Sequence, residues 1–223
     1  MRILLVIAVF FLGSCAGTQI LPTAENEFEK GLALFNDGKY EQAIPYFTKT
    51  AEMDPDHMKS YLYIGRSYLK MKRWVDAISP LQKAYKLAPQ DTIRQIAGDL
   101  FDAFLGAGIS EFKKGNYQDS IDYFREGLKL KPGSKKVIEE LGKTLLAFGK
   151  KLLSEKKIEE AISAYKEAIK ISPGNFAAYL ELAKAFFRNG DIGKALEAVK
   201  ESIRINPKSK EAYSLFLELL KGK

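Results

Sequence analysis

Phe176–Pro207 reads FAAYLELAKAFFRNGDIGKALEAVKESIRINP, and Met58–Pro89 reads MKSYLYIGRSYLKMKRWVDAISPLQKAYKLAP. Aligned from their first residues, both strings carry apolar residues at helical spacing in two halves and close on a proline. The same proline recurs along the chain at Pro55, Pro89, Pro132, Pro173 and Pro207, with spacings of 34, 43, 41 and 34 residues, so the base period is 34. With repeats starting at Ala24, Met58, Phe101, Gly142 and Phe176, the eighth position is always small: Gly31, Gly65, Gly108, Gly149 and Ala183. The twentieth (Ala43, Ala77, Ser120, Ala161, Ala195) and the twenty-seventh (Thr50, Ala84, Gly127, Ala168, Ser202) are small as well. The twenty-fourth is bulky, as Phe47, Leu81, Phe124, Tyr165 and Val199, and so is the thirtieth, as Met53, Leu87, Leu130, Ile171 and Ile205. Two antiparallel helices approach closely only where the facing residues are small, and bulky neighbours then fill the space alongside. Within the repeats, Asn36-Asp37-Gly38, Lys114-Gly115-Asn116 and Asn189-Gly190-Asp191 offer glycine for a left-handed helix end.

This pattern resembles the tetratricopeptide repeat family from about Ala24 to the C-terminus. The resemblance implies an all-α, right-handed superhelical solenoid of five helix-turn-helix repeats over 24–57, 58–91, 101–134, 142–175 and 176–207. A capping helix comes after them over 208–223, with Tyr213, Phe216, Leu217 and Leu220 expected on its apolar face. The extra residues 92–100 place Ile93, Ile96, Ala97 and Leu100 in helical phase with Phe104, and 135–141 place Val137, Ile138 and Leu141 in phase with Leu145. They predict extended first helices that pack on each other. Pro45 and Pro80 fall inside second helices, where local kinks are expected.

The chain opens with Arg2 and an apolar run from Ile3 to Leu12, ten residues, too few to span a bilayer but suited to an export signal over 1–14. Leu12-Gly13-Ser14-Cys15 resembles the bacterial lipobox, with glycine at Gly13 where alanine or serine is commoner. The resemblance implies acylation of Cys15, the only cysteine, as the first mature residue, and attachment to the cell envelope through lipid, not through a spanning helix. Residues 15–23 form the lipidated cysteine and its tether, and Ala16 to Thr23 extends at most about 26 Å. The non-Asp residue Ala16 implies the periplasmic face of the outer membrane if the source is Gram-negative.

The composition, 46% hydrophobic and 28% charged with net charge +7, is that of a foldable, mildly basic protein. One cysteine and one histidine leave no disulfide framework and no zinc-type cluster, and His57 reads as a solvent-exposed turn residue. There is no phosphate loop or nucleophile elbow, and Glu139-Glu140 and Glu159-Glu160 are neighbours pointing in different directions. No enzyme activity, cofactor, metal or nucleic-acid partner is expected.

Protein binding is expected instead. In the family, positions two, five, nine, twelve and thirteen face a concave groove. Positions five and twelve are Phe28, Leu62, Leu105, Leu146, Leu180 and Phe35, Leu69, Phe112, Leu153, Phe187. Of the fifteen residues at the other three positions, eight are basic (Lys59, Arg66, Lys70, Lys113, Lys143, Lys150, Lys184, Arg188) and two acidic (Glu25, Asp102), so an apolar floor with a basic rim is expected to receive an acidic segment of a partner protein. The family's clamp for chaperone C-termini is not reproduced, because Phe28, Leu32, Tyr63, Asp102 and Gly106 stand where it needs Lys, Asn, Asn, Lys and a basic residue. Two further roles fit the same surface: a pilot lipoprotein that escorts an outer-membrane machine such as a pilus secretin, and an adaptor for cell-wall enzymes.

Overall fold

The computed structural model describes residues 23–221; the signal segment and Cys15 lie outside the described residues. Among these residues the chain is eleven α-helices without a strand. First and second helices alternate as α1 (Ala24–Asn36), α2 (Tyr40–Met53), α3 (Met58–Lys70), α4 (Trp74–Leu87), α5 (Ile93–Lys114), α6 (Tyr117–Leu130), α7 (Lys135–Ser154), α8 (Ile158–Ile171), α9 (Phe176–Arg188), α10 (Ile192–Ile205) and α11 (Lys210–Lys221). Each helix packs on the next, and the first helices α1, α3, α5, α7, α9 and α11 also touch in succession. This is the stacked helical solenoid expected from the period.

Helix starts are set by side chains that satisfy the unpaired amides of a first turn. Thr23 Oγ1 accepts from Asn26 N at 3.2 Å, Asn175 Oδ1 from Ala178 N at 3.2 Å and Asp191 Oδ1 from Lys194 N at 3.0 Å. His57 does the same for α3: Nδ1 accepts from Ser60 N at 3.2 Å, and the ring lies edge-on to Phe28 with centroids 4.9 Å apart. The expectation of a solvent-exposed turn histidine is therefore corrected to a half-buried helix cap. At the turn inside each repeat one residue takes the left-handed conformation: Gly38 (φ 77°), Gly115 (φ 80°) and Gly190 (φ 78°), but Lys72 (φ 58°) and Lys156 (φ 63°) in repeats two and four. Both α2 and α4 continue through Pro45 and Pro80.

The small positions are where the helices of a repeat meet. A methyl group added at Gly31 would come within 2.7 Å of the Phe47 ring, and one at Gly108 within 2.6 Å of Phe124. Gly65 under Leu81 and Gly149 under Tyr165 are closer still. Hydroxyls at the twenty-seventh position tie the pair together, as Thr50 Oγ1 donates to Ala24 O at 3.3 Å and Ser202 Oγ to Phe176 O at 2.9 Å.

The helices α5 and α7 are 22 and 20 residues long. Their added turns pack back onto the preceding repeat. Ile96 and Leu100 join a cluster with Leu62, Leu81 and Ala84, whereas Val137 and Leu141 join the cluster of Phe101 and Ile121. The expected mutual packing of the two extensions is thus replaced by separate packing, because each comes directly after the second helix it covers. Burial as complete as that of Ile96 and Val137 contributes about 1.5–3 kcal/mol per side chain.

The cap also departs from expectation. The residues of α11 that it buries are Ala212, Leu215 and Leu219, while Tyr213, Leu217 and Leu220 are exposed and Phe216 is half-buried. The helix seats its small third-position alanine toward the body, as α9 does with Ala178, and this turns the bulkier stripe outward.

Candidate functional site

Because the first helices touch in succession, their side chains combine into one face. One cleft, about 470 Å³, lies across the α1, α3 and α5 helices and the start of α4, lined by Phe35, Arg66, Leu69, Lys70, Trp74, Asp99 and Asp102. Trp74, the first residue of α4, leans onto the backbone of α5 at Gly106, where any Cβ would collide with the indole. Phe35 stands edge-on to Tyr63 with centroids 5.0 Å apart and to Tyr40 at 5.1 Å, which fixes its ring as one wall. Arg66 Nε donates to Asp99 Oδ2 at 2.7 Å, and its guanidinium lies 5.8 Å from the Tyr63 ring centre. Burial pushes the Asp102 carboxyl above its ordinary range, and neighbouring Asp99 adds to this against the pull of Lys131 and Lys136. A second hollow of about 450 Å³ holds Ile138, Glu139, Gly142, Lys143, Leu146 and Asn175.

Toward the C-terminus the face carries a chain of ion pairs crossing three helices. Lys150 of α7 lies 3.4 Å from Glu181 of α9, Glu181 3.1 Å from Lys184, and Lys184 2.6 Å from Glu211 of α11. Burial pulls the Lys184 pKa down, but its hydrogen bonds to Glu211 and Glu181 outweigh this and leave it raised. The Glu211 carboxyl is lowered by the same hydrogen bond from Lys184.

The expected groove residues therefore divide. Phe28, Leu62 and Leu180, with 5%, 6% and 4% exposure, are packed into the core clusters of repeats one, two and five and do not form a groove floor. Phe35, Leu69, Leu105, Phe112, Leu146, Leu153 and Phe187 are half-buried and present part of their surface, with Phe112 leaning on Tyr117. Lys59, Lys70, Lys113, Lys143, Lys150 and Arg188 are exposed, and Arg66 and Lys184 half-buried. The rim is less basic than the count of eight against two implies, since Arg66, Lys143, Lys150 and Lys184 are all paired with carboxylates. Among the described residues, Lys59, Lys70, Lys113 and Arg188 have no carboxylate partner. Sequence reasoning missed Trp74, Asp99, Glu181 and Glu211; the single tryptophan of the chain was the one local signal available.

Among the described residues no group of three or more His, Cys, Asp or Glu is placed to hold a metal ion, and no helix is long and apolar enough to cross a membrane.

Two family models, each described as tetratricopeptide repeat, match residues 28–92 and 152–219, together more than half of the chain. Human protein O-mannosyl-transferase TMTC3 is 23% identical over 132 residues, 56% of this chain and 14% of that protein. Hsp70-Hsp90 organizing protein 3 of Arabidopsis thaliana is 24% identical over 127 residues, 54% of this chain and 21% of that protein. The chain thus spans less than a quarter of either relative's length. A solved TPR repeats protein from Bacteroides fragilis superposes with a TM-score of 0.64 over 90% of this chain and 99% of that one, at 16% identity. The period, the small-against-large packing of every helix pair and these matches agree: the chain belongs to the tetratricopeptide repeat family.

Proposed function

We propose that this chain is a non-enzymatic, lipid-anchored scaffold of the bacterial envelope that holds an acidic segment of a partner protein along its first-helix face. The observation that carries this reading is the cleft of Phe35, Leu69 and Trp74, an open apolar hollow of about 470 Å³ with Lys70, the Arg66–Asp99 pair and Asp102 at its edge. Apolar anchoring with charge at the margin is how an extended or helical segment is gripped and oriented. Unpaired Lys59, Lys70 and Lys113 supply the attraction, while Arg66, Lys150 and Lys184 bridge neighbouring first helices. The Arabidopsis relative is named for organizing Hsp70 and Hsp90. Chaperone tails are not proposed for this chain, because the basic clamp positions carry Phe28, Leu32, Tyr63, Asp102 and Gly106.

The test is crosslinking in cells that make the full chain, then purification and identification of the proteins joined to it. Reversing Lys59, Lys70 and Lys113 to Glu is expected to lower capture at least tenfold and to leave helicity unchanged, since these three bridge no helices. Equal capture by the reversed chain would sink the groove reading. Cys15→Ser is expected to abolish labelling by fatty acid; label on that variant, or none on the native chain, would refute the lipid anchor separately.

A further inference from the structure

Two walls of the first-helix cleft differ in sign. Arg66 and Lys70 stand one turn apart on α3, and Asp99 and Asp102 one turn apart on α5. One cation and one acid bridge the walls, with Arg66 Nε donating to Asp99 Oδ2 at 2.7 Å. The other two do not. Among the described residues neither Lys70 nor Asp102 is paired with an opposite charge. The rest of the lining is apolar: Phe35, Leu69 and Trp74, with the indole seated on α5 at Gly106, one turn beyond Asp102.

Asp102 is an unused group in an unfavourable place. It bridges no helices, and its ionised form is disfavoured by burial and by neighbouring Asp99 more than Lys131 and Lys136 favour it. A positive charge brought to it from outside relieves this. Lys70 on the facing wall is open to a negative charge in the same way. The cleft therefore has a direction, from a free cation on α3 to a free carboxylate on α5, although its lining carries no net charge. A purely acidic occupant satisfies the α3 wall and is repelled by the α5 wall, whereas an occupant with both signs, suitably placed, is attracted by both.

We propose that the segment held in this cleft is dipolar: a large apolar side chain fills the hollow, an acidic side chain meets Lys70 on the α3 wall, and a basic side chain meets Asp102 on the α5 wall. This rests on the first-helix face being the docking surface, and it adds the order in which the partner's charges run along the solenoid. Packed helices lie about 8–10 Å apart, which sets the acid and the base about three residues apart in an extended segment. Further acidic residues of the segment remain free to meet Lys59 and Lys113, so one basic residue beside the apolar anchor, among several acidic ones, is the pattern expected.

The experiment is selection of random short peptides, displayed on phage, on the full chain purified in detergent. Affinities are then measured for the native chain, Lys70→Glu and Asp102→Lys. Both changes fall on side chains without an ion-pair partner, and circular dichroism checks that the fold is kept. Peptides that lose at least about tenfold in affinity on Lys70→Glu are expected to carry an acidic and a basic residue on opposite sides of a large apolar one, and to lose a similar factor on Asp102→Lys. Replacing the basic residue of such a peptide by Glu is expected to make it bind Asp102→Lys at least about tenfold more tightly than the native chain. Lys70-dependent peptides that are acidic on both sides of the apolar residue, or that bind Asp102→Lys as tightly as the native chain, overturn the dipolar reading and leave the groove standing. If no selected peptide depends on Lys70, the groove reading fails and this one fails with it.

Discussion

Tyr165 offers the sharpest test of the packing, because one atom can be removed without disturbing anything else. Its side chain is fully buried with the ring against Gly149, and its hydroxyl finds no hydrogen-bond partner among the protein groups. The same position is Phe47 in the first repeat and Phe124 in the third, so the pocket accepts a ring without a hydroxyl. A buried hydroxyl without a partner costs about 1–3 kcal/mol, and Tyr165→Phe removes that cost while keeping the ring contacts. The expected gain is about 1–2 kcal/mol, or roughly 2–8 °C in Tm for a chain of this size. Urea unfolding monitored by circular dichroism is the assay, with the midpoint rising at an unchanged slope. There is a second signature in pH. Burial, reinforced by the charge of Glu181, pushes the Tyr165 pKa well above its ordinary 10.0. Above pH 10 the unfolded chain releases this proton and the folded chain keeps it, so native stability falls with rising pH by an amount the phenylalanine variant does not share. A variant that is neutral or less stable at pH 7 would refute the reasoning, since it would mean the hydroxyl is satisfied.

The same geometry sets four further outcomes. Gly108→Ala places a methyl group within 2.6 Å of Phe124 and is expected to cost about 1–3 kcal/mol by urea titration; Phe124→Val in the same chain should recover part of this, as repeat five already pairs Ala183 with Val199. Replacing the left-handed Lys72 and Lys156 by Gly is expected to stabilise by up to about 1 kcal/mol each, whereas Gly115→Lys should cost a similar amount, both read as shifts in unfolding midpoint. The hydrogen bond from Lys184 lowers the Glu211 pKa below its ordinary 4.5, so the α9–α11 link is present above that pH and is lost as pH falls through the folded value; α11 amides are expected to exchange hydrogen faster there, and an unchanged rate would discount the link. Arg66→Glu sets a carboxylate beside Asp99 and is expected to lower stability more than Lys70→Glu, whose native side chain has no partner among the described residues; equal effects by urea titration would show that the Arg66–Asp99 bridge contributes nothing.

The sequence was legible where a requirement is local and repeated. A glycine beneath a phenylalanine recurs at Gly31 and Gly108 because two helices of one repeat can meet only there, and the recurrence exposes it. The direction of α11 was not legible for the converse reason. Its apolar residues make two stripes, and the smaller one, Ala212, Leu215 and Leu219, makes the contact with the body while Tyr213, Leu217 and Leu220 stay exposed. Position five misled because Phe28, Leu62 and Leu180 are large and apolar, which suits a groove floor and a core equally well, and the core took them in.

The charges of the groove were hidden by distance along the chain, but the distance has a rule. Asp99 lies 33 residues beyond Arg66, Glu181 31 beyond Lys150, and Glu211 27 beyond Lys184, each on the next first helix and about one to three helical turns short of the equivalent position. A cation on one first helix therefore meets an acid earlier on the next, and counting charges position by position misses this pairing. This changes what the proposed acidic partner would gain. At Lys184 it must displace Glu181 and Glu211, so the net attraction is the difference between two pairings, and the displaced carboxylates loosen the contact from α9 to α11. At Lys59, Lys70, Lys113 and Arg188 no displacement is needed, and three of these four lie in the second and third repeats. Binding energy from charge should therefore concentrate toward the N-terminal part of the solenoid, beside the cleft of Phe35, Leu69 and Trp74, where apolar contact is also available.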